Sequence, residues 1–125
     1  MIKLAIKGVG YNTVFLREAV LNADTGKPVP VSTTMIRLEQ LVVVDKKIVK
    51  TQDFKKAQFP SSKYDKPVYE SFIVAINEGN KIGADYVVVD RWKVIKPSGL
   101  LTKIFPKRFE KFYVEAYATY YKKKK

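Results

Sequence analysis

The chain has no cysteine and no histidine. Without cysteine there can be no disulfide, thiolate nucleophile, iron–sulfur cluster or thiolate zinc site. Without histidine the commonest general base and metal ligand is missing. A metal site would need oxygen ligands alone, and the acids are scattered with no D-x-D-x-D-G run. We therefore expect no metal, no cofactor and no enzyme. Gly8-Val9-Gly10-Tyr11-Asn12 lacks the third glycine and the Lys-Ser/Thr pair of a phosphate loop. The pairs Asp85/Asp90 and Glu110/Glu115 have odd spacing, which on a strand puts the two members on opposite faces. Long apolar runs are missing too: none approaches the roughly 20 residues that span a bilayer. The start, Met1 to Lys7, has no signal-like apolar region. The expected compartment is the cytoplasm, with a virion or envelope setting as the alternative.

Negative charge is scarce. Twelve acids face 24 bases in 125 residues, a net charge of +12. Lysine supplies all of the bases except Arg17, Arg37, Arg91 and Arg108. Lysine is a solvated point charge, whereas arginine reads base edges with a planar fork. Such a surface attracts a phosphate backbone without reading sequence. The same composition, poor in Cys, His, Asn and Gln, is thermophile-like and serves solubility. Hydrophobic residues make up 46% of the chain, enough for a core and against wholesale disorder. Residues 1–121 are expected to form one domain, followed by a disordered lysine tail at 122–125.

Along the chain, Ile2 to Lys7 alternates with the period of a half-buried strand, and Gly8-Val9-Gly10 breaks it. Asp24-Thr25-Gly26-Lys27-Pro28 is a turn sequence, which predicts a hairpin with strands near 13–22 and 29–38. Ile36 to Val44 and Ile48-Val49 read as a second hairpin, turning at Asp45-Lys46-Lys47; a short helix over Met35–Leu41 is the alternative. Residues 51–67 read as a loop. A helix is expected over about 67–82, with Pro67 in its first turn, Gly83 at its end and Gly79 as a weak point. Ala84 to Ile95 and Phe109 to Tyr121 read as strands. The fold class is α+β: an antiparallel sheet of five to seven strands with one main helix on one face. A small OB-like barrel is the alternative.

Function is sought in the last 33 residues, which hold ten basic residues, two acids and seven aromatic rings. On the final strand Tyr113, Tyr117 and Tyr121 share a side at roughly 13 Å intervals. With Lys111 they would form a platform for unstacked bases. The ordinary reading is that these tyrosines cover a half-buried sheet face. In the 96–108 loop, Lys96, Lys103, Lys107 and Arg108 surround Leu100, Leu101, Ile104 and Phe105. The basic members suit phosphates, and the apolar four suit a partner subunit, or the chain's own core. The function expected is sequence-independent nucleic-acid binding through a basic, Tyr-rich C-terminal hairpin. The alternative is a structural or interaction protein, a virion, appendage or envelope component, docking through the 100–105 loop. The partner is then nucleic acid or another subunit, including a second copy of the chain.

Overall fold

The computed structural model describes residues 2–55, 65–96 and 111–124. Its strands are β1 (Lys3–Gly10), β2 (Thr13–Leu21), β3 (Pro28–Arg37), β4 (Leu41–Lys50), β5 (Phe54–Lys55), β6 (Tyr86–Ile95) and β7 (Lys111–Lys123). One helix, α1 (Asp65–Lys81), lies between β5 and β6, and a single 3-10 turn at Leu38–Gln40 joins β3 to β4. The architecture is α+β: one helix on an open sheet ordered β3-β2-β1-β6-β7-β4, with β5 also paired to β7. Every pairing is antiparallel except β1 with β6, which is parallel. The wholly antiparallel sheet expected from sequence is corrected at this pair. Helix α1 carries the chain back across the sheet, so β6 enters beside β1 in the same direction.

The main core lies between α1 and one sheet face. Val68, Phe72 and Ala75 of the helix meet Leu4, Val49, Val87, Ala116, Ala118 and Tyr120. Phe72 packs tilted against Trp92, with ring centroids 5.7 Å apart. Small Ala116 and Ala118 let the helix approach β7. The Tyr120 hydroxyl, fully buried, donates to the Ala75 carbonyl at 2.8 Å. Gly79 does not fray the helix, which runs on to Lys81. It sits where a Cβ would overlap Ile2 Cδ1 and approach Tyr120 Cε1 to 2.8 Å.

A second buried cluster lies on the opposite face: Ala5, Leu16, Leu41, Tyr86, Val88 and Tyr121, with Ile36 and Leu38 against it. Its origin is a split in the sheet. Strand β1 pairs with β6 only at Lys3–Tyr86 and Leu4–Val87. From Ala5 to Gly10 it pairs with β2 alone, so the β1-β2-β3 meander folds over the Tyr86/Tyr121 end of the sheet.

Three local expectations change. Strand β1 continues through Gly8 to Gly10, because the Phe15 ring lies over Gly8 and fills the space a side chain would take. Asp45-Lys46-Lys47 makes no turn. With no glycine or proline to reverse the chain, it stays in the single strand β4, and a bulge at Val44 absorbs one residue against β7. Of the expected lysine tail, Lys122 and Lys123 pair with Val42 and Leu41, and the Lys124 amide donates to Gln40 at 3.0 Å; Lys125 lies outside the described residues.

Candidate functional site

Strands β6, β7 and β4 lie side by side, and residues directly opposite one another share a face. The face away from α1 can therefore be read from the register. Down its centre run Tyr113, Glu115, Tyr117 and Thr119 of β7. Ile95, Lys93 and Arg91 of β6 stand opposite Tyr113, Glu115 and Tyr117. On the other flank Lys50, Ile48 and Lys46 of β4 stand opposite Glu115, Tyr117 and Thr119. Lys55 of β5 lies opposite Lys111 at the end of the same row. Lys46, Lys50, Lys55, Arg91, Lys93 and Lys111 thus share one face, with Glu115 and Asp90 as its acids.

Tyr113 and Tyr117 are half-buried, and each has a cation beside its ring. The Arg91 guanidinium sits 4.2 Å from the Tyr117 centroid, and Lys93 Nζ lies 5.8 Å from it. Lys50 Nζ is 5.6 Å from the Tyr113 centroid. These are cation–π distances, in which the ring's negative face holds the charge beside it. Ile48, 56% exposed, adds an apolar spot beside Tyr117.

Tyr121 departs from the expected trio. It is 4% exposed and packed in the second cluster, so its ring offers no stacking surface. Burial, and then the negative charge of Asp90, push its hydroxyl pKa up. The reason is the folded-over meander, which covers this end of the row and leaves the Tyr117/Tyr113 end open. Lys96 follows directly after β6. Lys103, Lys107 and Arg108, and the apolar Leu100, Leu101, Ile104 and Phe105, fall outside the described residues. Lys46, Lys50, Lys55, Arg91 and Lys93 were not singled out from sequence. Their alternation was visible, but only the strand order places them beside the tyrosines.

On the helix side Lys47 of β4 is matched by an acid of α1. Lys47 Nζ bonds Glu78 at 2.9 Å, and this hydrogen bond chiefly raises the Lys47 pKa and lowers that of Glu78. The Asp carboxylates also act separately: Asp85 accepts from the Lys123 amide at 2.9 Å, and Asp90 from the Thr119 hydroxyl at 2.7 Å. Among the described residues no three acids are grouped to hold a metal ion, and no helix is long and apolar enough to cross a membrane. Comparison with protein-family models, curated proteins and solved structures finds no match to the chain.

Proposed function

We propose that the chain is a non-enzymatic, sequence-independent nucleic-acid-binding protein, acting in the cytoplasm, and that its binding surface is the β6-β7-β4 face. One observation carries the reading: six cations and the half-buried rings of Tyr113 and Tyr117 share the single sheet face that α1 leaves uncovered. Lysines there neutralise phosphates and release counterions. The tyrosines, and Arg91 through its planar guanidinium, stack bases. Five of the six cations are lysines, which suits attraction to a backbone more than readout of base edges.

The test is fluorescence anisotropy with a labelled single-stranded oligonucleotide, titrated across salt. The reading requires log-linear salt dependence, and Tyr117→Ala should weaken binding by roughly tenfold, the loss of one stacked base. Absence of binding at low salt, or affinity indifferent to salt, overturns it.

An interaction protein is the second reading, and edge strand β4 favours it. Val42, Val43 and Val44 are exposed along that edge, and an apolar sheet edge is a template for another chain. Solution mass at high concentration tests it. A strict monomer, unchanged by Val43→Lys, removes it.

A further inference from the structure

The split between β1 and β6 opens a cleft of about 350 Å³, lined by Ala5, Lys7 and Val9 on one wall and Val88 to Asp90 on the other, with Phe72 below. Two strands that start paired and then part leave facing edges whose backbone groups have lost a ladder partner on that side. Beyond the split β6 carries a bulge: Asp90 has no partner on β7, and pairing resumes at Arg91. Bulges re-aim side chains, and this one puts Asp90 in the cleft while Arg91 lies over Tyr117. The cleft therefore adjoins the platform by one residue.

Its polar side chains are few, Lys7 and Asp90. Thr119 Oγ1 donates to Asp90 Oδ2 at 2.7 Å, which fixes the carboxylate and leaves Oδ1 as an acceptor. Lys7 makes no ion pair among the described residues, so its ammonium is available as a donor. The remaining lining is aliphatic or aromatic apart from backbone. One acceptor, one donor and apolar walls, at the small end of the usual 300–1,000 Å³ for ligand sites, suit a flat heteroaromatic ring with hydrogen-bonding groups at its edge. Every nucleobase presents a neighbouring donor and acceptor on its Watson–Crick edge, and that edge is free only when the base is unpaired.

We infer that the β1/β6 cleft takes one unpaired nucleobase from a strand lying on the Tyr113/Tyr117 face, with Asp90 accepting and Lys7 donating at the base edge. This rests on the nucleic-acid reading above and deepens it: the ligand is single-stranded. Duplex can use the lysines but cannot fill the cleft.

The experiment measures affinity for a single-stranded oligonucleotide and for the matching duplex at one salt concentration, with the wild type and with Asp90→Ala. Removing an acid from a basic face should strengthen binding to any polyanion. The cleft requires the opposite for single strands. Asp90→Ala should lower single-strand affinity roughly tenfold, the loss of a charge-assisted hydrogen bond, while duplex affinity holds or rises. Asp90→Asn keeps the shape and an acceptor for Thr119, and covers failure of the alanine variant to fold; it should move the ratio the same way by a smaller factor. Equal affinity for single strand and duplex, or a single-strand affinity that rises in both variants, overturns the cleft and leaves the platform standing. Failure of the wild type to bind either form in a salt-dependent way overturns the platform, and the cleft with it.

Discussion

Replacing Gly79 by alanine separates propensity from packing. In an exposed helix interior the change would stabilise by about 1 kcal/mol. Here the new methyl overlaps Ile2 Cδ1 and lies 2.8 and 3.0 Å from two carbons of the Tyr120 ring. Neither neighbour can yield cheaply. Ile2 is buried, and its amide is held by Asn80 Oδ1 at 3.0 Å. Tyr120 is fully buried and tethered through its hydroxyl to Ala75. Overpacking of such a site costs about 1–3 kcal/mol. With both neighbours pinned we take the upper end, which leaves a net loss of about 2 kcal/mol after the propensity gain. For a domain of this size that lowers Tm by roughly 5–8 °C, read by circular dichroism. A companion variant gives the mechanism. Ile2→Val removes the overlapping Cδ1 and costs about 1 kcal/mol alone, but in its presence the Gly79→Ala penalty should shrink by at least half. A Gly79→Ala protein that melts higher than wild type, or a penalty indifferent to Ile2→Val, refutes the packing argument.

Other outcomes follow from single contacts. Burial pushes the Tyr120 hydroxyl up to about 12, above the ordinary value near 10. The fold thus favours the neutral phenol, and the stability this provides is intact below pH 10 and lost as pH rises through 12. Tyr120→Phe should flatten alkaline unfolding by about 2 kcal/mol across that window, followed by circular dichroism against pH. Gly26 has φ +71°, and a Cβ there would overlap the Asp65 carbonyl at the start of α1; Gly26→Ala should cost about 2 kcal/mol in denaturant titration. Lys50→Ala and Lys93→Ala should each reduce the salt slope of single-strand binding by about 0.7, whereas Lys66→Ala on the helix should leave it unchanged.

Local patterns in the chain carried the elements further than their arrangement. The period-2 alternation of Ile2–Lys7, the turn at Asp24–Pro28 and the Pro67/Gly83 bracket each marked an element lying within a few residues of its place. Each is a short-range effect: pleat, turn chemistry and helix termination. The exceptions had non-local causes. Gly8 stays in a strand because Phe15, from β2, covers it, and Gly79 stays in a helix because β7 and Ile2 need the room. Asp45-Lys46-Lys47 stays extended because β7 pairs with it throughout. The site followed the same division. The spacing of Tyr113 and Tyr117 was legible on one strand. Arg91, Lys93, Lys46 and Lys50 became part of it only through a strand order that places the chain's ends of β4 and β6 on either side of β7. Tyr121, with the same spacing, is lost to the surface because a distant meander folds over it.

The strand order also bears on why the lysines are there. A purely solubilising role needs charge spread over the surface and gives no reason for aromatic rings among it. It also disfavours half-buried tyrosines and an exposed Ile48 on a charged face, since apolar surface works against solubility. On the β6-β7-β4 face the rings and cations interleave, and at Tyr117 the interleaving is stacked contact, with Arg91 4.2 Å from the ring centroid. The helix side is built differently: Lys47 there is matched by Glu78 and Asp45 within 4.0 Å. Edge protection explains the part of β4 after its bulge, where Lys46, Lys47 and Lys50 discourage pairing with another chain, and leaves Val42–Val44 up to the bulge exposed. It reaches Lys93 and Arg91 as well, since β6 has left β1 beyond Val87, but it gives no reason for placing them opposite the row that holds Tyr113 and Tyr117. For that placement the nucleic-acid ligand proposed above would supply a reason, since it presents an anion and an aromatic ring at every repeat.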